Sequence, residues 1–264
     1  MTERDGADHR LLLDAVREAG ACALKRFKTD QKVWRKSKHH PVCEADIETN
    51  AVLSDMLKDR RPDYGWLSEE SEDSGERLAA KRVWVVDPID GTNSYLKGLP
   101  EFAVSVGLIA DGRALMGAVY NPAADELFEA VAGAGARLNG KEIRVSTCTD
   151  MADATILVSR SEHREAGWPE RFDGDKVHAI SSIAYKLALV ADGRYDATAS
   201  AWPKADWDIC AGCLLVAEAG GTISSIAGKD LRFNQERPKH ATCLASNGHL
   251  HDALQTELSD WAEK

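Results

Sequence analysis

Trp84-Val85-Val86-Asp87-Pro88-Ile89-Asp90-Gly91-Thr92 is the stretch on which the reading of this chain turns. Residues 83–86 form a β-branched and aromatic run that predicts a buried strand. That strand would deliver Asp87 at its carboxyl end. Pro88 would hold Asp87 extended, because the residue before a proline is biased away from helical angles. Asp90 follows one turn later, so the two carboxylates are expected to converge. Gly91 has no side chain and lets an anion approach the backbone. Thr92 is expected to open a short helix whose N–H groups form an anion site. Carboxylates beside such a site are a poor cradle for phosphate unless cations lie between them, and that conflict argues for metal. Oxygen donors select hard cations, and Mg²⁺ takes few carboxylates together with water and substrate oxygens. A pair of such ions would hold a phosphoryl group and lower the pKa of a bound water. More acids are at hand: Glu69 and Glu70 after a strand candidate at 64–68, and Asp208 where a helix is expected to begin. Turn capping is the ordinary alternative for Asp87 and Asp90 taken alone.

Outward from this segment the pattern is mixed. Leu12, Ala15, Val16, Ala19, Ala23 and Phe27 recur at helical spacing and predict an amphipathic helix over 8–28. The basic stretch 32–40 reads as irregular and ends at Pro41; a second helix is expected over 45–58, before Pro62. Residues 103–109, 114–120 and 127–130 read as successive antiparallel strands joined by short turns. Farther on, strand and helix alternate. Strands are expected at 154–159 and 195–199, and helices at 182–192, 208–219 and 249–262, with Gly220-Gly221 closing the second of these. There is no repeat and no low-complexity tract. The expectation is an α/β chain of two lobes, residues 1–150 with the first metal motifs and residues 151–264 completing the metal and substrate site.

The chain has 264 residues, 44% of them hydrophobic, enough for a substantial core. Asp and Glu number 43 against 33 Lys and Arg, a formal charge of −10. That balance speaks against a general nucleic-acid binder and against a polybasic membrane-surface protein. No apolar run approaches the roughly 20 residues of a membrane span. Met1-Thr2-Glu3-Arg4-Asp5 lacks the basic head and apolar core of a signal peptide, so a cytoplasmic protein is the default expectation. Six cysteines in such a protein are expected to stay reduced. Cys210-Ala211-Gly212-Cys213, without a second pair, reads as small residues packing inside a helix rather than a redox or zinc motif. His39 and His40 are neighbours whose side chains rarely converge on one ion, which favours an exposed loop.

Three separated segments in order now resemble the inositol monophosphatase family of Mg²⁺-dependent phosphatases. They are Leu67-Ser68-Glu69-Glu70-Ser71, Asp87-Pro88-Ile89-Asp90-Gly91-Thr92, and Trp207-Asp208 followed by Glu218-Ala219-Gly220-Gly221. The resemblance covers nearly the whole chain. It implies a layered αβαβα sandwich that pairs as a homodimer. It also implies that Glu69, Asp87 and the Ile89 carbonyl bind one metal, and that Asp87, Asp90 and Asp208 bind a second. Glu69 would also serve a third ion. Thr92, backed by Asp46, would polarise the attacking water, and the amides of Gly91 and Thr92 would take the phosphate. Li⁺ and Ca²⁺ are expected to inhibit. One departure stands out: Cys43 replaces the threonine usual in the Pro41-Val42-Cys43-Glu44-Ala45-Asp46 segment. Glu70 reads as a loop acid, and Lys36 as a solvated lysine in a basic run.

A rival chemistry is set aside by spacing. Phosphatases of the haloacid dehalogenase type carry Asp-x-Asp-Gly-Thr, with the first Asp as nucleophile. Here Pro88 occupies that position, and a proline cannot attack phosphorus. The leaving group is read from Ser200-Ala201-Trp202-Pro203-Lys204-Ala205-Asp206-Trp207-Asp208. Inositol-selective members resembling this family carry an acid near the position of Ala201. Lys204 and Trp202 instead offer a cation and a stacking face, suited to a second phosphate and a base. This loop and the segment from Tyr64 to Glu70 look more like the bisphosphate nucleotidase branch, which removes the 3′-phosphate from 3′-phosphoadenosine 5′-phosphate. Inositol 1-phosphate and histidinol phosphate are the alternative esters. An alternative of another class is a protein-binding factor in RNA synthesis with a dispensable phosphatase.

Overall fold

The computed structural model describes residues 2–37, 40–165 and 167–262, leaving out the side chains of residues 36, 37, 40, 164, 169 and 170. The reading of His39-His40 and of the Lys36 side chain lies outside the described residues. The first half runs α1 (Glu3–Arg26), β1 (Val33–Ser37), β2 (His40–Cys43), α2 (Glu44–Arg60), β3 (Gly65–Ser68), β4 (Arg82–Asp90) and α3 (Thr92–Leu96). It continues with β5 (Ala103–Ala110), β6 (Arg113–Asn121), β7 (Glu126–Val131), β8 (Ala136–Leu138) and β9 (Lys141–Ile143). Strands β3 to β9 form one seven-stranded sheet in sequence order. Only the β3–β4 pair is parallel, so those two strands end at the same edge.

Strand period 2 sorts the core of this sheet. Trp84 and Val86 of β4, Val104, Val106 and Leu108 of β5, and Met116 and Ala118 of β6 face α1 and α2. Val83, Val85, Ile109 and Val119 point to the other side. There they meet α6 and α7 of the second half, which runs β10 (Ile156–Val158), α4 (Arg160–Glu165), α5 (Trp168–Arg171), β11 (Val177–Ala179), α6 (Ile183–Ala191), β12 (Ala197–Ser200), β13 (Lys204–Ala205) and α7 (Asp206–Glu218). After these come β14 (Thr222–Ser224), β15 (Lys239–His240), β16 (Cys243–Ser246) and α8 (His251–Glu257). A five-stranded sheet, ordered β11-β10-β12-β16-β14, covers the far side of α6 and α7. Its outer face, with Ile156, Val158, Ala197 and Leu244, is sealed by Trp168 of α5, by Leu254 of α8 and by Trp261. The order of layers is αβαβα, as the resemblance implied.

The Cys-x-x-Cys segment is packing. A Cβ on Gly107 would lie 2.9 Å from Cys210 Sγ, and one on Gly117 would lie 2.8 Å from Ala211 Cα. Gly107 and Gly117 are paired across β5 and β6. The small residues of α7 therefore drop into a groove of two glycines, which lets the helix sit close on the sheet. All six cysteines are free thiols.

Several boundaries differ from the sequence expectation. Helix α1 starts at Glu3, because Thr2 Oγ1 accepts from Asp5 N–H at 3.2 Å while Asp5 Oδ2 accepts from Thr2 N–H at 2.8 Å. The stretch read as irregular is a hairpin, with Val33 paired to Cys43 and Trp34 to Val42. The final helix is shorter than expected; α8 ends at Glu257 and a 3₁₀ turn, Ser259–Trp261, follows.

Candidate active site

Strand β4 does not stop at Val86 but runs on to Asp90, and this changes how its two carboxylates meet. Asp87 pairs with Ser105 and Asp90 with Ala103, three residues of β4 against two of β5. The extra residue is a β-bulge at Pro88-Ile89, where proline has no ladder N–H to lose. Residues three apart on a regular strand point to opposite faces. The bulge cancels that parity and turns both acids to one side. Asp87 Oδ1 accepts from Ile89 N–H at 3.0 Å, which fixes the bend. The parallel β3 ends beside it, and Glu69 N–H extends the ladder to Val86 O at 3.1 Å. Gly91 then turns the chain at φ +95°, where a Cβ would lie 2.8 Å from Glu101 O. Thr92 opens α3 as expected.

Asp46 and Asp208 are held by one device used twice. Each is the third residue of its helix and accepts from the backbone N–H of the capping residue. Asp46 Oδ2 takes Cys43 N–H and Asp208 Oδ2 takes Ala205 N–H, both at 2.7 Å. The Cys43 thiol donates to the same Asp46 oxygen at 2.9 Å, so cysteine fills the place of threonine without displacing Asp46. The second oxygen, Asp46 Oδ1, lies 3.1 Å from Thr92 Oγ1. Thr92 Oγ1 is also 3.0 Å from Ile89 O. Its single proton serves one acceptor at a time and leaves lone pairs for a water. Asp90 Oδ2 accepts from Ser182 Oγ and from Ala184 N–H, both at 2.6 Å, at the start of α6.

Glu69, Asp87, Ile89, Asp90, Gly91, Thr92, Lys204 and Asp208 line one cavity of about 640 Å³, with Trp202 on its wall. Asp46 lies behind Thr92. Ala201 instead packs toward the outer core. Glu70 lies near enough to Asp46 to push its pKa up. Glu218 of the third motif is not at the cavity; it accepts from the amides of Gly133 and Gly135 at 2.8 and 2.9 Å and so closes a turn. Sequence reasoning missed Lys186, a wall residue that is fully buried. A signal was present: it is the one charged residue in the otherwise uncharged helix Ile183–Ala191. Burial pulls its ammonium down to about 8, and Glu162 counters that pull.

The electrostatics fit hard cations. Burial, together with Glu69, Asp90 and Asp208, raises Asp87 well above the usual carboxylate range. Burial and Asp208 push Asp90 up to about 6, and burial brings Asp208 to about 6 although Lys204 opposes it. Asp46 also stands at about 6, chiefly through burial. These acids repel one another and would be relieved by a cation. Among the described residues no three acids, histidines or cysteines stand close enough to hold an ion unaided. The donors are distributed around the cavity, as suits Mg²⁺, which keeps water and substrate oxygens in its shell.

The inositol monophosphatase family model matches residues 9–261. The chain belongs to the inositol monophosphatase family. It is thereby a metal-dependent phosphoric monoester hydrolase, acting on phosphate esters. It is 34% identical over 257 residues to the Nus factor SuhB of Xylella fastidiosa, covering 93% of this chain and 92% of that protein. It is 31% identical to inositol monophosphatase 2 of Solanum lycopersicum, covering 94% and 96%. Its fold matches the extragenic suppressor protein suhB of Bartonella henselae with a TM-score of 0.85 at 30% identity, covering 96% and 98%. An IMPase of Thermotoga maritima matches with a TM-score of 0.85 at 28% identity, covering 98% of each chain. No helix among the described residues of this family member is long and apolar enough to cross a membrane.

Proposed function

We propose that this enzyme removes the 3′-phosphate from 3′-phosphoadenosine 5′-phosphate, giving AMP and phosphate. The observation that carries the substrate is Lys186, a fully buried ammonium on the wall of a cavity that also holds Lys204 and Trp202. Lys186 Nζ donates to Ile180 O at 3.2 Å and Glu162 and Asp90 sustain its charge, while its place on the cavity wall lets it meet an anion there as well. A second, non-reacting phosphate is such an anion, and Trp202 offers a face for the base.

Glu69, Asp87 and the Ile89 carbonyl would hold one Mg²⁺, and Asp87, Asp90 and Asp208 a second, with Glu69 available to a third. Bound Mg²⁺ supplies Lewis-acid polarisation of the phosphoryl oxygens and a lowered pKa for water. The protein's own groups do the rest. Thr92 Oγ1 hydrogen-bonds the attacking water and passes polarisation to Asp46, while the backbone of Gly91 and Thr92 orients the phosphate. Asp208 and Lys204 flank the ester. Li⁺ and Ca²⁺ would inhibit by taking the place of Mg²⁺. The same reading takes the enzyme as a cytoplasmic homodimer, with the change of sheet near residue 150 dividing two lobes.

A second reading is favoured by the names of relatives. Rhizobium meliloti inositol-1-monophosphatase is 33% identical over 260 residues, so inositol 1-phosphate is the competing ester. Phosphate release with Mg²⁺ decides between them over four esters: the adenosine bisphosphate, inositol 1-phosphate, fructose 1,6-bisphosphate and histidinol phosphate. The bisphosphate nucleotide should give the highest kcat/KM. Equal or better turnover of inositol 1-phosphate would overturn the preference. The Nus factor relatives motivate one further arm. If Asp87→Asn, lacking turnover, still complements a deletion, a protein-binding role is the one that matters in the cell.

A further inference from the structure

Glu162 takes no part in the chemistry above, yet its side chain is fully buried on α4. Its Oε2 accepts from Ser159 Oγ at 2.9 Å. Its Oε1 accepts from Ser200 Oγ at 2.7 Å and from Trp202 N–H at 3.1 Å. Ser159 Oγ in turn accepts from Glu162 N–H at 3.1 Å. One carboxylate therefore joins two segments that both line the cavity. The first is Ser159 with the opening residues of α4, Arg160 and Ser161, and the second is the loop carrying Trp202, Pro203 and Lys204. That loop has little regular structure of its own: β13 is two residues long, and Trp202 is 37% exposed.

A buried carboxylate persists when it is fully hydrogen-bonded and matched by a cation. Lys186 is not in hydrogen-bond contact with Glu162, but is a buried cation whose charge Glu162 favours. Of the charges around it, Glu162 does most to sustain its ammonium. Glu162 is thus connected to the three residues on which the substrate reading rests, Lys186 by charge and Trp202 and Lys204 through the loop. It touches none of the metal-binding acids, and its hydrogen bonds run to Ser159, Ser200 and Trp202.

We propose that Glu162 is a positioning residue for substrate selection. It fixes the 200–204 loop against α4, so that Trp202 and Lys204 stand where an ester with a base and a second phosphate needs them. This rests on the bisphosphate nucleotide reading. A one-phosphate ester needs only the carboxylate end of the cavity and gains little from the loop.

The test is the preference ratio: kcat/KM for 3′-phosphoadenosine 5′-phosphate divided by kcat/KM for inositol 1-phosphate, with Mg²⁺ saturating. Glu162→Ala removes two tethers to the loop and should lower this ratio about tenfold, through KM of the nucleotide rather than kcat. Glu162→Gln keeps an acceptor for Ser200 and Trp202 and should recover most of the ratio. An equal loss on both esters, or no recovery in the Gln variant, would overturn the proposal, because a merely structural brace lowers both together. If Glu162→Ala does not fold, Ser200→Ala removes one tether and should lower the ratio about threefold; an unchanged ratio would overturn it. A wild-type enzyme with no preference for the nucleotide defeats the substrate reading itself. A wild-type preference that Glu162→Ala leaves intact defeats this inference alone.

Discussion

Asp87 and Asp90 lie three residues apart on one strand and yet face the same cavity, because a one-residue bulge at Pro88-Ile89 reverses the parity between them. Around that bulge the fold gathers the rest: Glu69 from the parallel strand alongside, Asp208 from the first turn of α7, and Thr92 from the start of α3. The Thr92 hydroxyl sits between Asp46 Oδ1 and Ile89 O, tying the proton-handling pair to the bulge itself.

That pair gives the first prediction. Thr92→Ala and Asp46→Asn should each lower kcat about 10²- to 10³-fold, with KM within threefold of wild type. Cys43→Thr, which keeps a donor to Asp46 Oδ2, should stay within about threefold of wild type in kcat. Steady-state phosphate release measures all three. A rise in KM with unchanged kcat would place Thr92 in binding alone.

The repelling acids make stability depend on metal and pH together. Asp90 and Asp208 stand at about 6, above the usual carboxylate range, chiefly through burial. The folded protein then binds more protons than the unfolded chain between about pH 4 and 6, so these two groups lower stability as pH rises through that window. Asp5 works the other way, but at about 2 its window lies below pH 4. Mg²⁺ relieves the charged acids and has little to relieve when they are protonated. The rise in Tm on replacing EDTA with Mg²⁺ should therefore be larger at pH 7.5 than at pH 5 (roughly the two sides of the titration). An equal rise at both values would contradict the site.

The glycine groove under α7 predicts a cost of another kind. Gly117→Ala puts a Cβ 2.8 Å from Ala211 Cα, a backbone atom that cannot swing away. The substitution should destabilise by about 1–3 kcal/mol in a urea melt, without abolishing turnover of the folded fraction. Activity should be insensitive to reductant both in wild type and in the variant carrying Cys210→Ala and Cys213→Ala, since the pair only packs the helix. Loss of activity on oxidation in wild type alone would revive a redox reading.

What the sequence disclosed was what it encodes locally. The Val83–Val86 run and the helical spacing from Leu12 to Ala23 each act within a few residues, and the strand and the helix stand where those patterns place them. The convergence of Asp87 and Asp90 was expected for the wrong geometric reason. A turn was read where the strand continues through a bulge, because pairing with β5 is a tertiary fact that overrides the proline's local signal. The 33–43 hairpin was missed because its basic residues mask Val33, Trp34 and Val42, which pair across it. Glu162 was invisible for a plainer reason: its partners Ser200 and Trp202 lie about 40 residues downstream, and nothing in the spacing links them.

The central claim is that the acids at the end of β4 serve the reaction by holding Mg²⁺. Phosphate release from 3′-phosphoadenosine 5′-phosphate, measured during a Mg²⁺ titration of EDTA-treated wild type and of Asp87→Asn, tests it most directly. Wild type should be inactive without metal and recover saturably, while Asp87→Asn should fall at least about 10³-fold and bind Mg²⁺ more weakly by calorimetry. Turnover by metal-free wild type, or wild-type rates in Asp87→Asn, would contradict it.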